Sequence, residues 1–107
     1  MVSHRKGSGL SFAEHVYREL VKVPRGKVTT YKELARAIGA PRAYRAVGNA
    51  LNKNPHAPRV PCHRVVASDG SLGGYAGGRK KKISLLAKEG VRIDRGRVDL
   101  DTFGFFY

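Results

Sequence analysis

The chain has 107 residues, 41% of them hydrophobic, which suits one domain with a modest core and leaves no room for a second. Its 21 Lys and Arg against 8 Asp and Glu give a net charge of +13, a surplus that attracts polyanions, above all nucleic acid. No apolar run approaches the roughly 20 residues needed to span a bilayer, and one cysteine cannot close an internal disulfide, so membrane-spanning and disulfide-stapled classes are excluded.

The opening MVSHRKGSG is basic but has no apolar stretch behind it, so residues 1–10 read as a flexible start and not as a signal peptide. With the lone cysteine, this points to a reducing, intracellular compartment. SFAEHVYRELVKVP then reads as an amphipathic helix: Ser11 and Glu14 make a capping box, Phe12, Val16, Leu20 and Val23 recur at helical spacing, and Pro24 ends it. RGKVTT is a turn and a short extended piece. A second capping box, Thr30 with Glu33, opens YKELARAIG, which Gly39 stops.

PRAYRAVGNALNKNP has Pro41 near a helix start, Pro55 beyond its end, and small residues at Ala43, Ala46, Gly48 and Ala50. Two short helices about a tight turn, the second rich in Arg, Lys and Asn, predict a helix-turn-helix; an ordinary helical hairpin is the alternative. RVVASDGSLGGY reads as a hairpin or wing around Asp69-Gly70. GGRKKKISLLAKEG is a helix stopped by Gly90, with Ile83, Leu86 and Ala87 inward and Arg79 to Lys82 as a solvated basic run. The tail VRIDRGRVDLDTFGFFY predicts a small hairpin around Arg95-Gly96, then aromatics that pack on the core. The expected fold is mostly α with a small β wing, a winged-helix-like helix-turn-helix domain.

The single cysteine sits in VPCHRV, and three readings are open for Cys62. A structural zinc site needs about four ligands, and only Cys62, His63, His56, His15 and His4 are on offer, with no Cys-x-x-Cys pair. A core filler is the default for a free thiol, yet Pro61, His63 and Arg64 are awkward neighbours for an apolar interior. A nucleophile gains from an adjacent imidazole and cation, and Glu89 is a candidate to orient that imidazole. Adjacent side chains of an extended segment point to opposite faces, so His63 reaches Cys62 only through a turn or a bridging water.

PCHRV, preceded by RAVGNALNKNP and followed by GGYAGG and LLAKEG, closely resembles the O6-alkylguanine-DNA alkyltransferases, or methylated-DNA–protein-cysteine methyltransferases. The resemblance runs from Phe12 to about Ile93 and covers that family's C-terminal, DNA-binding and active-site domain, so the expected division is 11–93 for this domain and 94–107 for an extension, with the family's N-terminal domain absent. The resemblance implies single-use transfer of an alkyl group from guanine O6 in double-stranded DNA to Cys62, after the base is flipped out by a minor-groove helix-turn-helix. It casts His63 as the acceptor of the thiol proton through water, Glu89 as its carboxylate partner and Asn54 as a brace between the helix-turn-helix and the active-site segment. Tyr31 resembles a tyrosine that hydrogen-bonds the flipped base, Arg45 the finger that fills the gap in the duplex, and Tyr75 a residue lining the base pocket. The backbones of Val65 and Ala76 are cast against the base edge, Ala46 and Gly48 suit close approach to the groove, and Arg64 joins the DNA-binding set. The same resemblance implies a monomer without metal or nucleotide cofactor and without membrane contact, cytoplasmic and beside the nucleoid, or nuclear in a eukaryote.

Ala76 stands where that family often has serine, and Tyr44 is bulkier than the small residue common before the finger. Two rival readings remain. Alkyltransferase-like proteins share the small layout and bind alkylated DNA to signal nucleotide excision repair, but carry another residue at the cysteine position. A winged-helix transcription regulator leaves Pro61-Cys62-His63-Arg64 and Glu89 unexplained.

Overall fold

A computed structural model describes residues 10–107, so the expected flexible start, and His4 with it, lie almost wholly outside the described residues. Ser11 begins the first helix, α1 (Phe12–Leu20), through the predicted capping box: its hydroxyl accepts the Glu14 N–H at 3.2 Å and the Glu14 carboxylate accepts the Ser11 N–H at 2.8 Å. Val16, Leu20 and, just past the helix, Val23 are fully buried. Phe12 is not; at 37% exposure it belongs to a first turn that overhangs the core. The helix stops before Pro24 by tightening, with the Val23 N–H donating to the Leu20 carbonyl.

The strand β1 (Thr29–Thr30) runs straight into α2 (Tyr31–Ala37), whose N-terminus Thr30 caps by accepting the Glu33 N–H at 3.0 Å. The second capping box is only half made, because the Glu33 carboxylate is taken by Arg36 and by the Tyr107 N–H. Gly39, at φ +80°, turns the chain toward α3 (Tyr44–Asn52). Leu34, Ala35, Val47 and Leu51 pack the two helices against Val16 and Leu20 of α1, so the helix-turn-helix is a layer of one core and not an isolated hairpin.

After α3 the chain crosses to a 3-10 turn, Cys62–Arg64, and enters β2 (Val65–Val66). That strand pairs in parallel with β1, Thr29 opposite Val65 and Thr30 opposite Val66. The Asp69-Gly70 turn forms as expected, with the Gly70 N–H on the Ala67 carbonyl, but β2 is already paired with β1, and the returning arm bridges Ser71 to Arg97 instead of building a regular hairpin with β2. Gly70 has φ +87°, and a Cβ there would lie 2.4 Å from the Val98 carbonyl oxygen, so a side chain is excluded by both conformation and space.

The helix α4 (Arg79–Lys88) closes a second core of Val28, Val66, Leu72, Leu86, Val91 and Val98. Its inward stripe is centred on positions 82 and 86, one helical turn apart, so Ala87 is exposed and Ile83 half-buried. The expected solvated run is therefore corrected at its last member: Arg79, Lys80 and Lys81 are exposed, but Lys82 is completely buried. The tail folds as the sequence predicts, with β3 (Ile93–Asp94) and β4 (Arg97–Val98) antiparallel around Arg95 and Gly96, both at positive φ. A short α5 (Leu100–Phe103) follows. Phe105 and Tyr107 pack edge to face at 5.2 Å against the first core, while Phe106 stays exposed.

Candidate active site

Cys62 lies where the chain turns out of the loop after α3, and the turn settles how adjacent residues divide their work. The Cys62 N–H donates to Val60 and the Arg64 N–H to Pro61, winding residues 62–64 into a tight helical turn so that neighbouring side chains take different directions. The Cys62 side chain, 5% exposed, reaches a cavity of about 250 Å³ lined also by Tyr31, Gly48, Asn49, Leu51, Asn52, Gly74, Tyr75 and Ala76. His63 instead buries its ring, with Nε2 2.9 Å from the Glu89 carboxylate.

Glu89 is held from two sides. Arg64 Nε donates to one carboxylate oxygen and its terminal nitrogen to the other, both at 2.8 Å, a bidentate pair with both partners largely buried. Burial alone would raise the Glu89 pKa, but the hydrogen bonds from Arg64 and His63 outweigh it and hold the carboxyl at about 2. A Glu89 carboxylate makes Nε2 of His63 the donor. The other ring nitrogen, Nδ1, is buried and has no hydrogen-bond partner among the described residues, and its lone pair can take a proton. Burial outweighs the pull of Glu89 and holds the His63 pKa below that of a free imidazole, which favours the neutral ring.

Tyr31 opens α2 and passes its ring under the Gly73–Gly74 backbone, with the hydroxyl 3.4 Å from the Gly74 carbonyl; a Cβ on Gly73 would meet that hydroxyl at 2.7 Å. Burial raises the Tyr31 pKa, so the phenol keeps its proton. Tyr75 and Ala76 line the same cavity. Asn54 does not line the cavity: its amide donates to the Val60 carbonyl at 2.8 Å and its oxygen accepts the His56 N–H at 2.9 Å, tying the end of α3 to the residues before Cys62. Arg45 and Ala46 are exposed at the start of α3, and Gly48 faces the cavity from the same helix.

Two of the expected DNA contacts are engaged within the protein. Nε and both terminal nitrogens of Arg64 donate to Glu89 and to the Val23 carbonyl at 2.9 Å. Val65 is absent from the cavity wall; its side chain is buried, its N–H bonds to Cys62 and its carbonyl accepts from Lys82 at 2.7 Å. Sequence reasoning missed Asn49, Leu51 and Asn52, although they fall on the α3 face that follows from Gly48 at helical spacing. It also missed that no acidic residue occurs between Glu33 and Asp69, the stretch that carries α3 and Cys62. Among the described residues, no group of three His, Cys, Asp or Glu is placed to hold a metal ion.

Residues 11–91 match the family model described as the 6-O-methylguanine DNA methyltransferase, DNA binding domain. A methylated-DNA–protein-cysteine methyltransferase from Methanosarcina barkeri is 53% identical over 81 residues, 76% of this chain and 51% of that protein. Among solved structures, Mycobacterium tuberculosis OGT in complex with DNA superposes with a TM-score of 0.73 at 47% identity, over 76% of this chain and 50% of that one. S. pombe Atl1 in complex with damaged DNA containing O6-carboxymethylguanine superposes with a TM-score of 0.80 at 31% identity, over 100% of both chains. The chain spans about half the length of the curated methyltransferases it matches.

Proposed function

This chain belongs to the 6-O-methylguanine DNA methyltransferase family through its DNA-binding domain, and on that premise we propose that it repairs O6-alkylguanine in double-stranded DNA by direct, single-use transfer to Cys62. The thiol gives its proton toward Nδ1 of His63, and the thiolate attacks the alkyl carbon. A carbon–sulfur bond forms as the carbon–oxygen bond breaks, the electron pair passes to the guanine, and the Tyr31 phenol turns from the Gly74 carbonyl to donate toward the leaving base. The thioether is not reversed, so one protein repairs one lesion.

The observation that carries this reading is Cys62 at the wall of a base-sized cavity with the His63–Glu89–Arg64 chain behind it. About 250 Å³ is below the usual range for drug-sized ligands and fits one extruded base. Extrusion costs a few kcal/mol, and an inserted side chain offsets part of it. Helix α3 supports that division of labour, since it exposes Arg45 and Ala46 at its start and lines the cavity with Gly48, Asn49, Leu51 and Asn52. Small residues at Ala46 and Gly48 let the helix approach a narrow minor groove.

Residues 11–93 form the repair domain in this reading and 94–107 its extension. The protein acts as a monomer without metal or nucleotide cofactor, in the reducing compartment that holds the DNA. No helix among the described residues is long and apolar enough to cross a membrane. The end-to-end likeness to Atl1 keeps lesion binding without transfer as the second reading, and the cysteine at position 62 weighs against it.

The test is intact and peptide mass spectrometry after incubation with a duplex containing one O6-methylguanine. Gain of one methyl group on the Cys62 peptide, with plain guanine left in the DNA, is expected. Tight binding without an adduct replaces this reading with lesion sensing, and neither binding nor adduct overturns both.

A further inference from the structure

Residues 72–75, which bring Gly74 and Tyr75 to the cavity, have no helix or strand of their own, so something else must hold that wall. The buried Leu72 side chain is one anchor, and its N–H on the Gly96 carbonyl at 3.3 Å is a second. The third is unusual. Lys82 is fully buried, and its ammonium donates to the carbonyls of Val65, Leu72 and Gly74.

We propose that Lys82 is a positioning residue of the alkyl-transfer site, pinning the Leu72–Gly74 wall to the strand that leaves the Cys62 turn and so fixing the width of the cavity between Cys62 and the Tyr31–Tyr75 side. This rests on the repair reading for its chemistry, but the pin itself is a property of the protein alone.

The donor count favours the pin. An ammonium has three N–H donors, and here all three meet backbone carbonyls. A buried cation costs several kcal/mol unless its protons are satisfied, so a filler at this position would be apolar. The Gly74 carbonyl also accepts from Tyr31, so one carbonyl oxygen links Lys82 to the tyrosine that faces the cavity. Val65 follows the Cys62–Arg64 turn directly, and Lys82 therefore bridges both sides of the site through backbone atoms. Burial draws the Lys82 pKa down to about 8, outweighing the opposite pull of the nearby Cys62 sulfur.

Lys82→Met keeps the length of the side chain and removes every donor. In single-turnover assays on O6-methylguanine duplex it should slow the limiting transfer rate about 10- to 100-fold, as loss of reactive alignment does. Affinity for lesion-free duplex should stay unchanged, the rate of Cys62 with iodoacetamide should stay equal or rise, and chymotrypsin should cut after Tyr75 faster. Lys82→Arg, which keeps charge and donors, should recover part of the transfer rate. A parallel fall with iodoacetamide overturns positioning in favour of thiolate activation, and unchanged transfer overturns the proposal outright.

The unsubstituted protein gives a check that survives a variant that does not fold. Its Lys82 ammonium protons should give a slowly exchanging 1H–15N signal with contacts to Leu72 and Gly74, and a fast-exchanging signal overturns the pin. If the unsubstituted protein transfers no methyl group at all, the repair reading fails while this signal and the Tyr75 cut still decide the pin.

Discussion

A thiol becomes a useful nucleophile only where its proton has somewhere to go, and the receiver in the proposed reaction is a ring nitrogen of His63. Among the described residues its Nδ1 is buried with no hydrogen-bond partner, while Nε2 is spent on Glu89, and Glu89 is in turn spent on Arg64. Cys62→Ala should abolish methyl transfer in the mass assay yet bind lesion duplex within a few-fold of the unsubstituted protein, since the cavity walls survive; retained transfer would sink the mechanism. Glu89 carries a pH signature. Its folded pKa of about 2 lies below the ordinary glutamate value of 4.5, so the stability it contributes is full above about 4.5 and is lost as pH falls toward 2. Glu89→Gln should cost roughly 3 kcal/mol at neutral pH, and its melting temperature should converge on that of the unsubstituted protein as pH falls through that window. A gap in melting temperature that stays constant on acidification would mean the carboxylate is not held by these partners.

Among the elements, α3 presents two faces that its periodicity separates. Positions at its start face outward with Arg45, and positions 48, 49, 51 and 52 face the cavity, so in the proposed repair groove contact and base capture are one turn apart. Arg45→Ala should slow transfer from a duplex by about tenfold or more, the scale of losing help with a base-flipping cost of a few kcal/mol, and leave reaction with free O6-methylguanine base almost unchanged. Equal losses on the two substrates would remove the finger role. The tail is the opposite case, an element whose job is packing. Phe105 N–H donates to Val28, the Tyr107 hydroxyl donates to the Glu19 carbonyl, and both rings close the first core. Hairpin and aromatics were legible in the tail sequence because Arg95-Gly96 is a local turn signal, whereas the partner of β2 was not, because parallel pairing with β1 joins residues 36 apart.

Across the whole molecule, charge is distributed with a bias that a total cannot express. Glu19, Glu33, Asp69 and Glu89 each have a basic partner, and the stretch from position 34 to 68 has no acid at all. The helix that carries Arg45 thus lies in a stretch of sequence with basic residues and no acidic ones. Affinity for lesion-free duplex should fall log-linearly with salt, with a slope of about −3 or steeper if at least three to four phosphates are neutralised. A slope near zero would mean the net charge of +13 is not used on DNA.

By itself the sequence determined the class of the molecule and most of its vocabulary. Capping residues, helical spacing and turn glycines act within a few residues of one another, so α1, α2, α3, α4 and the β3–β4 hairpin were all readable, and the order of PCHRV, RAVGNALNKNP, GGYAGG and LLAKEG identified the family. Only the tertiary structure decided which charges point inward. Arg64 and Lys82 look alike as members of basic runs, yet one clamps Glu89 and the other satisfies three carbonyls, because their partners come from segments 8 to 41 residues away in the chain. The interior admits a cation only where enough acceptors converge on it, and that convergence is a property of packing that no local pattern encodes.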